Sequence, residues 1–396
     1  MASLPKHLPT PDQEALLRSQ QLAQLIQSSI QKAGGWISFA EFMQMALYTP
    51  GLGYYTGGNK KLGAGGDFIT APEISPLFAY AIARQYAQLQ ATSLLGSGDA
   101  QHTLNILELG AGSGVLAADL LLALQELQSL PKAYYILEVS DHLRQVQRET
   151  CEKKLPAELF KKLIWLETLP PQFSGLVLAN EVLDAIPVHL LQHSASAWLE
   201  RGVSHDVDFF WQDRPLSNAQ LINAVNAHVL PEAYLTEVCP AAQGLVTSLA
   251  EMLTKGVILL IDYGFGASEY YHPQRSQGTL MCHFQHYAHS NPLIYPGLQD
   301  ITAHVNFTEI AEAATQHELA LAGYTSQAQF LMNCGILERL AETSPEDLTG
   351  YAPMVAAVQK LLSPAEMGDL FKVIAFSKQV DTPLLGFSRG DKSHLL

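Results

Sequence analysis

Glycine takes every second position in Glu108-Leu109-Gly110-Ala111-Gly112-Ser113-Gly114, between an apolar stretch, Leu104 to Leu109, and a helical pattern, Val115 to Leu127. Few folds place such a run between a strand and a helix. Glycine there lets the backbone turn sharply and approach a ligand with no Cβ in the way. The dinucleotide fingerprint G-x-G-x-x-G needs its third glycine at position 115, which is Val115. The spacing E-x-G-x-G-x-G, with an acid two residues before the first glycine, suits S-adenosyl-L-methionine (SAM) better. That ligand has no pyrophosphate to cradle; it has a cationic sulfonium and an amino-acid moiety, for which a nearby carboxylate is electrostatically sensible. The next strand candidate, Tyr134 to Val139, carries Glu138, placed to accept hydrogen bonds from both ribose hydroxyls. Glu108, Gly110, Ala111, Gly112, Gly114 and Glu138 are thus candidate cofactor residues, with another nucleotide as the alternative.

From residue 103 onwards short apolar runs alternate with helical patterns. Leu163 to Leu166, Leu176 to Ala179, Gly256 to Ile261, Thr325 to Leu331 and Phe371 to Phe376 are further strand candidates. Ser140 and Asp141 are N-cap candidates for a helix carrying Leu143, Val146, Cys151 and Leu155. The alternation predicts βαβ units and a parallel sheet covered on both faces. Upstream, residues 12 to 33 and Phe39 to Leu47 read as helices, followed by a glycine-dense stretch from Gly51 to Pro76. That stretch also carries Tyr54, Tyr55 and Phe68, which a plain flexible linker would lack, and reads as a binding loop or lid; a structured surface loop is the alternative. The expected organisation is a helical N-terminal region with this lid over residues 1–100, then a core over 101–396 with an insertion at about 188–245.

The strand Leu176 to Ala179 runs into Asn180-Glu181-Val182-Leu183-Asp184-Ala185-Ile186-Pro187. In open parallel sheets ligands lie beyond the carboxyl ends of strands, so these polar residues are expected beside a methyl acceptor. One helical turn would bring Glu181 and Asp184 to one face; capping of a helix N-terminus is the structural alternative. Asn180 is expected to orient the cofactor or the acceptor.

With Lys and Arg 23 against Asp and Glu 38, the chain carries −15, which argues against nucleic acid or an anionic membrane as its general partner. Cys151, Cys239, Cys282 and Cys334 form no C-x-x-C pair, so reduced thiols are expected rather than disulfides or a zinc ribbon. The apolar run Gly256 to Ile261 is too short to span a bilayer, and the N-terminal residues show no apolar signal region. A soluble, cytoplasmic protein is the expectation, with the mitochondrial matrix as the lesser alternative. His283, His286 and His289 would drift around a helix, and no metal is expected there.

Several stretches carry a resemblance to a known family: Phe39 to Met43, Pro50 to Tyr55, Gly66 to Pro76, Glu108 to Gly114, Ala179 to Pro187, Ile261 to Gly264 and Pro296 to Val305. Together they resemble the MidA family of SAM-dependent methyltransferases, related to the mitochondrial complex I assembly-factor arginine methyltransferase. The resemblance implies a class I SAM-dependent methyltransferase fold, with a Rossmann-like seven-stranded sheet, and SAM as donor. It implies a protein arginine as acceptor, on a respiratory complex I-type subunit. It also implies that Gly66 to Ser75 closes over the cofactor, with Asp67 and Thr70 as contacts, and it gives Asp300 and His304 a substrate-side role or a structural one. A guanidinium is always charged and its lone pair delocalised. A carboxylate pair would hold it, localise density on the attacking nitrogen and take the proton, with Glu181 first and Asp184 second as catalytic residues. The rivals are a small-molecule or carboxyl methyltransferase, and a SAM-binding assembly protein without catalysis.

Overall fold

In the computed structural model, which describes residues 8–57, 70–97, 103–194, 197–226, 228–344 and 346–396, the alternating apolar runs become a mixed sheet. Seven of its strands lie on one path: β1 (Asn105–Leu109), β2 (Tyr134–Leu137), β3 (Leu163–Leu166), β4 (Phe173–Asn180), β5 (Leu253–Phe265), β6 (Ala320–Ser326) and β7 (Phe371–Lys378). Their spatial order is β3-β2-β1-β4-β5-β7-β6. The first five are parallel, and β7 runs antiparallel to both β5 and β6. This is the expected Rossmann-like, seven-stranded arrangement. The central strand β4 shows why its sequence lacks alternation: Leu176, Val177 and Leu178 are all fully buried, so neither face meets water.

Two glycines let the central strands approach at their amino-terminal edge. Gly175 in β4 pairs with Asn105 of β1 on one side and Gly256 of β5 on the other. Their φ values are 143° and 140°, and a Cβ on Gly256 would lie 1.9 Å from the Gly175 carbonyl oxygen. A Cβ on Gly175 would lie 2.0 Å from the Asn105 oxygen.

The chain divides into two compact units, each built from separated segments. The unit holding the seven strands comprises Ile69–Val182, Leu245–Gly266 and Phe307–Leu396. It includes helices α1 (Pro76–Ser97), α2 (Val115–Glu126) and α3 (Asp141–Lys154). Ser140 caps α3 by accepting from Leu143 N–H at 3.2 Å, and Lys153 and Lys154 complement its carboxyl end. The buried stripe of α3 is Leu143, Gln147 and Cys151, one residue off the expected Val146.

The other unit comprises Met1–Phe68, Leu183–Gly244 and Ala267–Asn306. Its helix Gln13–Lys32 is capped by Asp12, and its helix Phe39–Tyr48 by a Ser38–Glu41 capping box. These helices bury Leu22, Ile26, Phe39 and Phe42 together with Val203 and Ile301. After β4 the chain forms an antiparallel sheet in which Ala197–His205 pairs with His189–Ser194 and with Phe209–Pro215. Neither unit coincides with residues 1–100 or 101–396, because segments far apart in sequence share each core.

Three local expectations differ from the structure. The predicted strand Thr325 to Leu331 is strand only to Ser326, whose side chain caps a helix over Gln327–Asn333. The histidine stretch is not helical: Met281–Phe284 and Tyr287–His289 form a β-hairpin, with Asp300–Thr302 on its other side. Residues 181–184 make no helix, so the single-turn alignment of Glu181 with Asp184 does not form. Among the described residues, no helix is long and apolar enough to cross a membrane.

Candidate functional site

The glycine run links the end of β1 to the start of α2, as its spacing predicts. Gly110, Gly112 and Gly114 all take left-handed φ values, 60°, 54° and 83°. A Cβ on Gly114 would lie 3.0 Å from Gln147 Cα, and one on Gly110 would lie 3.2 Å from a Val182 methyl carbon. Ala111 between them is buried. Ser113 donates to the Glu73 carboxylate, tying the loop to the short helix Ala71–Ile74.

Both predicted acids are buried, Glu108 to 2% exposure and Glu138 to 5%. Glu108 accepts from the Tyr134 hydroxyl at 2.8 Å. Burial pushes its carboxyl up to about 7, against the Tyr134 hydrogen bond, which lowers it; the Glu138 charge adds to the rise. Burial also raises Glu138, although its two oxygens accept from Ser140 N–H and Gln147 Nε2, each at 2.9 Å.

At the end of β4, Asn180 lies level with Gly110, since Leu109 pairs with Ala179. Its Nδ2 donates to Glu181 Oε1 at 3.1 Å, while its Oδ1 is buried with no hydrogen-bond partner among the described residues. Glu181 has φ 53°, a left-handed backbone held by its N–H bond to Ile261 O at 2.9 Å. The next N–H, of Val182, donates to Asp262 at 3.2 Å. The open glycine backbone, the buried Asn180 acceptor and the two buried carboxylates fit a ligand rich in hydroxyl and ammonium donors, as SAM is.

Asp184 belongs to the other unit, is 5% exposed, and its carbonyl accepts from Ala303 N–H at 3.0 Å. Thr70 caps Ala71–Ile74 by position, without a side-chain cap bond. Asp67, with the rest of residues 66–69 at the start of the Gly66–Ser75 stretch, lies outside the described residues.

Sequence reasoning missed Gln147, which uses all its polar hydrogen-bonding atoms around the glycine loop. Its Nε2 reaches Gly112 O at 3.1 Å as well as Glu138, and its Oε1 accepts from Trp165 Nε1 at 3.0 Å. The available signal was a polar residue on the stripe of Leu143 and Cys151. Asp262 was also missed; it holds both Val182 N–H and Tyr263 N–H. Burial lowers His283 to about 4 and lowers His289. Among the described residues, no group of three or more His, Cys, Asp or Glu side chains could hold a metal ion.

A family model described as an S-adenosyl-L-methionine-dependent methyltransferase matches residues 80–325. The protein arginine methyltransferase NDUFAF7, mitochondrial, of Danio rerio is 31% identical over 86% of this chain and 83% of its own length. Its Homo sapiens counterpart is 30% identical over 87% and 80%. Among solved structures, a Burkholderia thailandensis protein bound to S-adenosyl-homocysteine is 48% identical, with a TM-score of 0.93 covering 98% of this chain and 100% of that one. The relatives' names overturn the cytoplasmic expectation, since both curated relatives are named as mitochondrial.

Proposed function

Because the chain belongs to the MidA-like family of S-adenosyl-L-methionine-dependent methyltransferases, we propose that it methylates a protein arginine, with Glu181 and Asp184 at the acceptor. The observation that carries the reading is the end of β4. There a buried, unpartnered Asn180 oxygen adjoins a carboxylate whose backbone is held left-handed. Strain of this kind persists where the surroundings over-determine it, and it is concentrated at reacting sites. The relatives named as protein arginine methyltransferases support the choice of acceptor, and a respiratory complex I-type subunit is the acceptor class that the family resemblance suggests.

SAM, when bound, supplies an electrophilic methyl group on a sulfonium. Glu108, Glu138, Asn180 and the backbone of Gly110, Ala111, Gly112 and Gly114 would hold it, with Asp67 and Thr70 from the lid. Positioning accounts for much of the acceleration of an in-line displacement. Glu181 orients the guanidinium and accepts its proton as the new N–C bond forms and the S–C bond breaks, and Asp184 assists by holding the charge.

The test is isotope-labelled SAM added to the purified chain and a lysate of cells lacking it, read by mass spectrometry. Label on an arginine of one protein, lost with Glu181→Gln, is the expected result. Label on a metabolite would replace the arginine reading with small-molecule methylation. SAM binding without any labelled product would point to a scaffolding role.

A further inference from the structure

A closed ring of contacts surrounds Asp300 within the unit that also holds Asp184. The half-buried Tyr55 donates to Asp300 Oδ1 at 2.9 Å. Its ring stacks on Tyr48, with centroids 5.5 Å apart and planes 22° from parallel. The Tyr48 hydroxyl donates to Ala185 O at 3.0 Å. Next to Ala185, the Asp184 carbonyl takes the N–H of Ala303, which follows the strand Asp300–Thr302 and so closes the ring. Burial, then the charges of Asp300, Tyr48, Asp184 and Tyr54, hold the Tyr55 phenol well above its ordinary range, so it acts as a neutral donor.

A second observation points to a ligand. On a strand, residues two apart share a face, so Thr302 lies on the face where Asp300 meets Tyr55. Thr302 is 2% exposed, and its hydroxyl oxygen has no hydrogen-bond partner among the described residues. An idle buried hydroxyl is costly, and a donor-rich guest would remove the cost. Two buried carboxylates, stacked aromatic rings and a hydroxyl acceptor together match one planar cation. A guanidinium has five donors and no acceptor, and it stacks on aromatic faces.

We propose that Asp300, held in place by Tyr55, anchors the guanidinium of the acceptor arginine in a subsite walled by Tyr48 and Tyr55, with Thr302 as a further acceptor. This rests on the arginine reading above. Asp300 and Thr302 touch the substrate; Tyr55 is a positioning residue for Asp300. The subsite selects the acceptor by charge and planarity, a task separate from the proton transfer assigned to Glu181.

Calorimetric titration of the full chain, loaded with S-adenosyl-homocysteine, tests this with acetyl-arginine-amide and its uncharged isostere acetyl-citrulline-amide as probes. The wild type binds the arginine probe and discriminates against citrulline. Asp300→Asn weakens arginine binding by about tenfold to a hundredfold, the range expected for one charge-assisted hydrogen bond. Tyr55→Phe and Thr302→Val, each removing one hydroxyl or its equivalent, weaken it by about threefold to tenfold, and all three variants keep their affinity for S-adenosyl-homocysteine. Equal binding of the two probes, no arginine binding by the wild type, or unchanged affinity in all three variants overturns the subsite. Methylarginine made by Asp300→Asn at unchanged KM overturns the subsite while leaving the arginine reading intact. The absence of any labelled arginine with the wild type fells that reading itself.

Discussion

Glu181 occupies a backbone conformation, φ 53°, that a residue with a Cβ adopts only under constraint. A left-handed turn after β4 meets there the carboxylate that the proposed mechanism calls for, and two substitutions separate them. Glu181→Gly relieves the backbone while removing the acid, so stability in urea should hold or rise by about 1 kcal/mol. Methyl transfer should fall by roughly a hundredfold or more, the usual contribution of a positioned base. Glu181→Gln keeps the strain and loses the same activity.

Glu108 makes a prediction with a pH sign. The folded chain holds its proton up to about pH 7, whereas an unperturbed carboxyl releases it near 4.5. The unfolded state therefore binds fewer protons in that window, and stability from this group falls as pH rises from about 4.5 to about 7. Glu108→Gln keeps an acceptor for Tyr134 and carries no charge. It should be more stable than the wild type at pH 8, and the advantage should vanish below about pH 4.5 in a series of thermal melts. Both acids were legible because carboxylates at the ends of apolar strands stand out. Gln147 was not, because a polar residue within an amphipathic helix reads as solvated until the loop it serves is known.

Among elements, the sheet was legible where burial on both faces leaves an unbroken apolar run, as in Leu176 to Ala179. It was misread where a strand hands over to a helix. Ser326 ends β6 and caps the following helix, and the apolar residues Phe330 and Leu331 belong to that helix. The histidine hairpin was hidden for another reason: Met281–Phe284 is a strand by virtue of partners on either side, one of them the distant Asp300–Thr302. Gly256 offers the test at this scale. Gly256→Ala places a methyl group against the Gly175 oxygen and a side chain at φ 140°, so β4 and β5 must part locally. A loss on the order of 1–3 kcal/mol in chemical denaturation is expected, with SAM affinity less affected because the glycine loop lies at the opposite strand ends.

For the whole molecule, the two compact units are each built from segments distant in sequence rather than from stretches either side of residue 100. Phe78, Ile82 and Tyr86 of α1 lie in the core of the seven-stranded unit, and Phe39 and Phe42 lie in the other core beside Val203 and Ile301. A fragment of residues 101–396 lacks all five of these N-terminal side chains. It should expose both cores, bind a hydrophobic dye and show no cooperative melt, whereas a self-sufficient domain would unfold sharply. The candidate site divides in the same way: the glycine turn and its acids could be read from a short window, but the ring of Tyr48, Tyr55 and Asp300 exists only after long-range closure.

The place of β7 between β5 and β6 has a consequence for the order of assembly. Of the seven strands it is the last to leave the ribosome, yet it fills a gap inside the sheet rather than extending an edge. Until it arrives, β5 presents unpaired backbone along one side and β6 has no neighbour to dock on. The nascent chain must therefore keep a slot open from the completion of β5 until β7 emerges. A chaperone that shields strand edges would protect this protein chiefly during that interval.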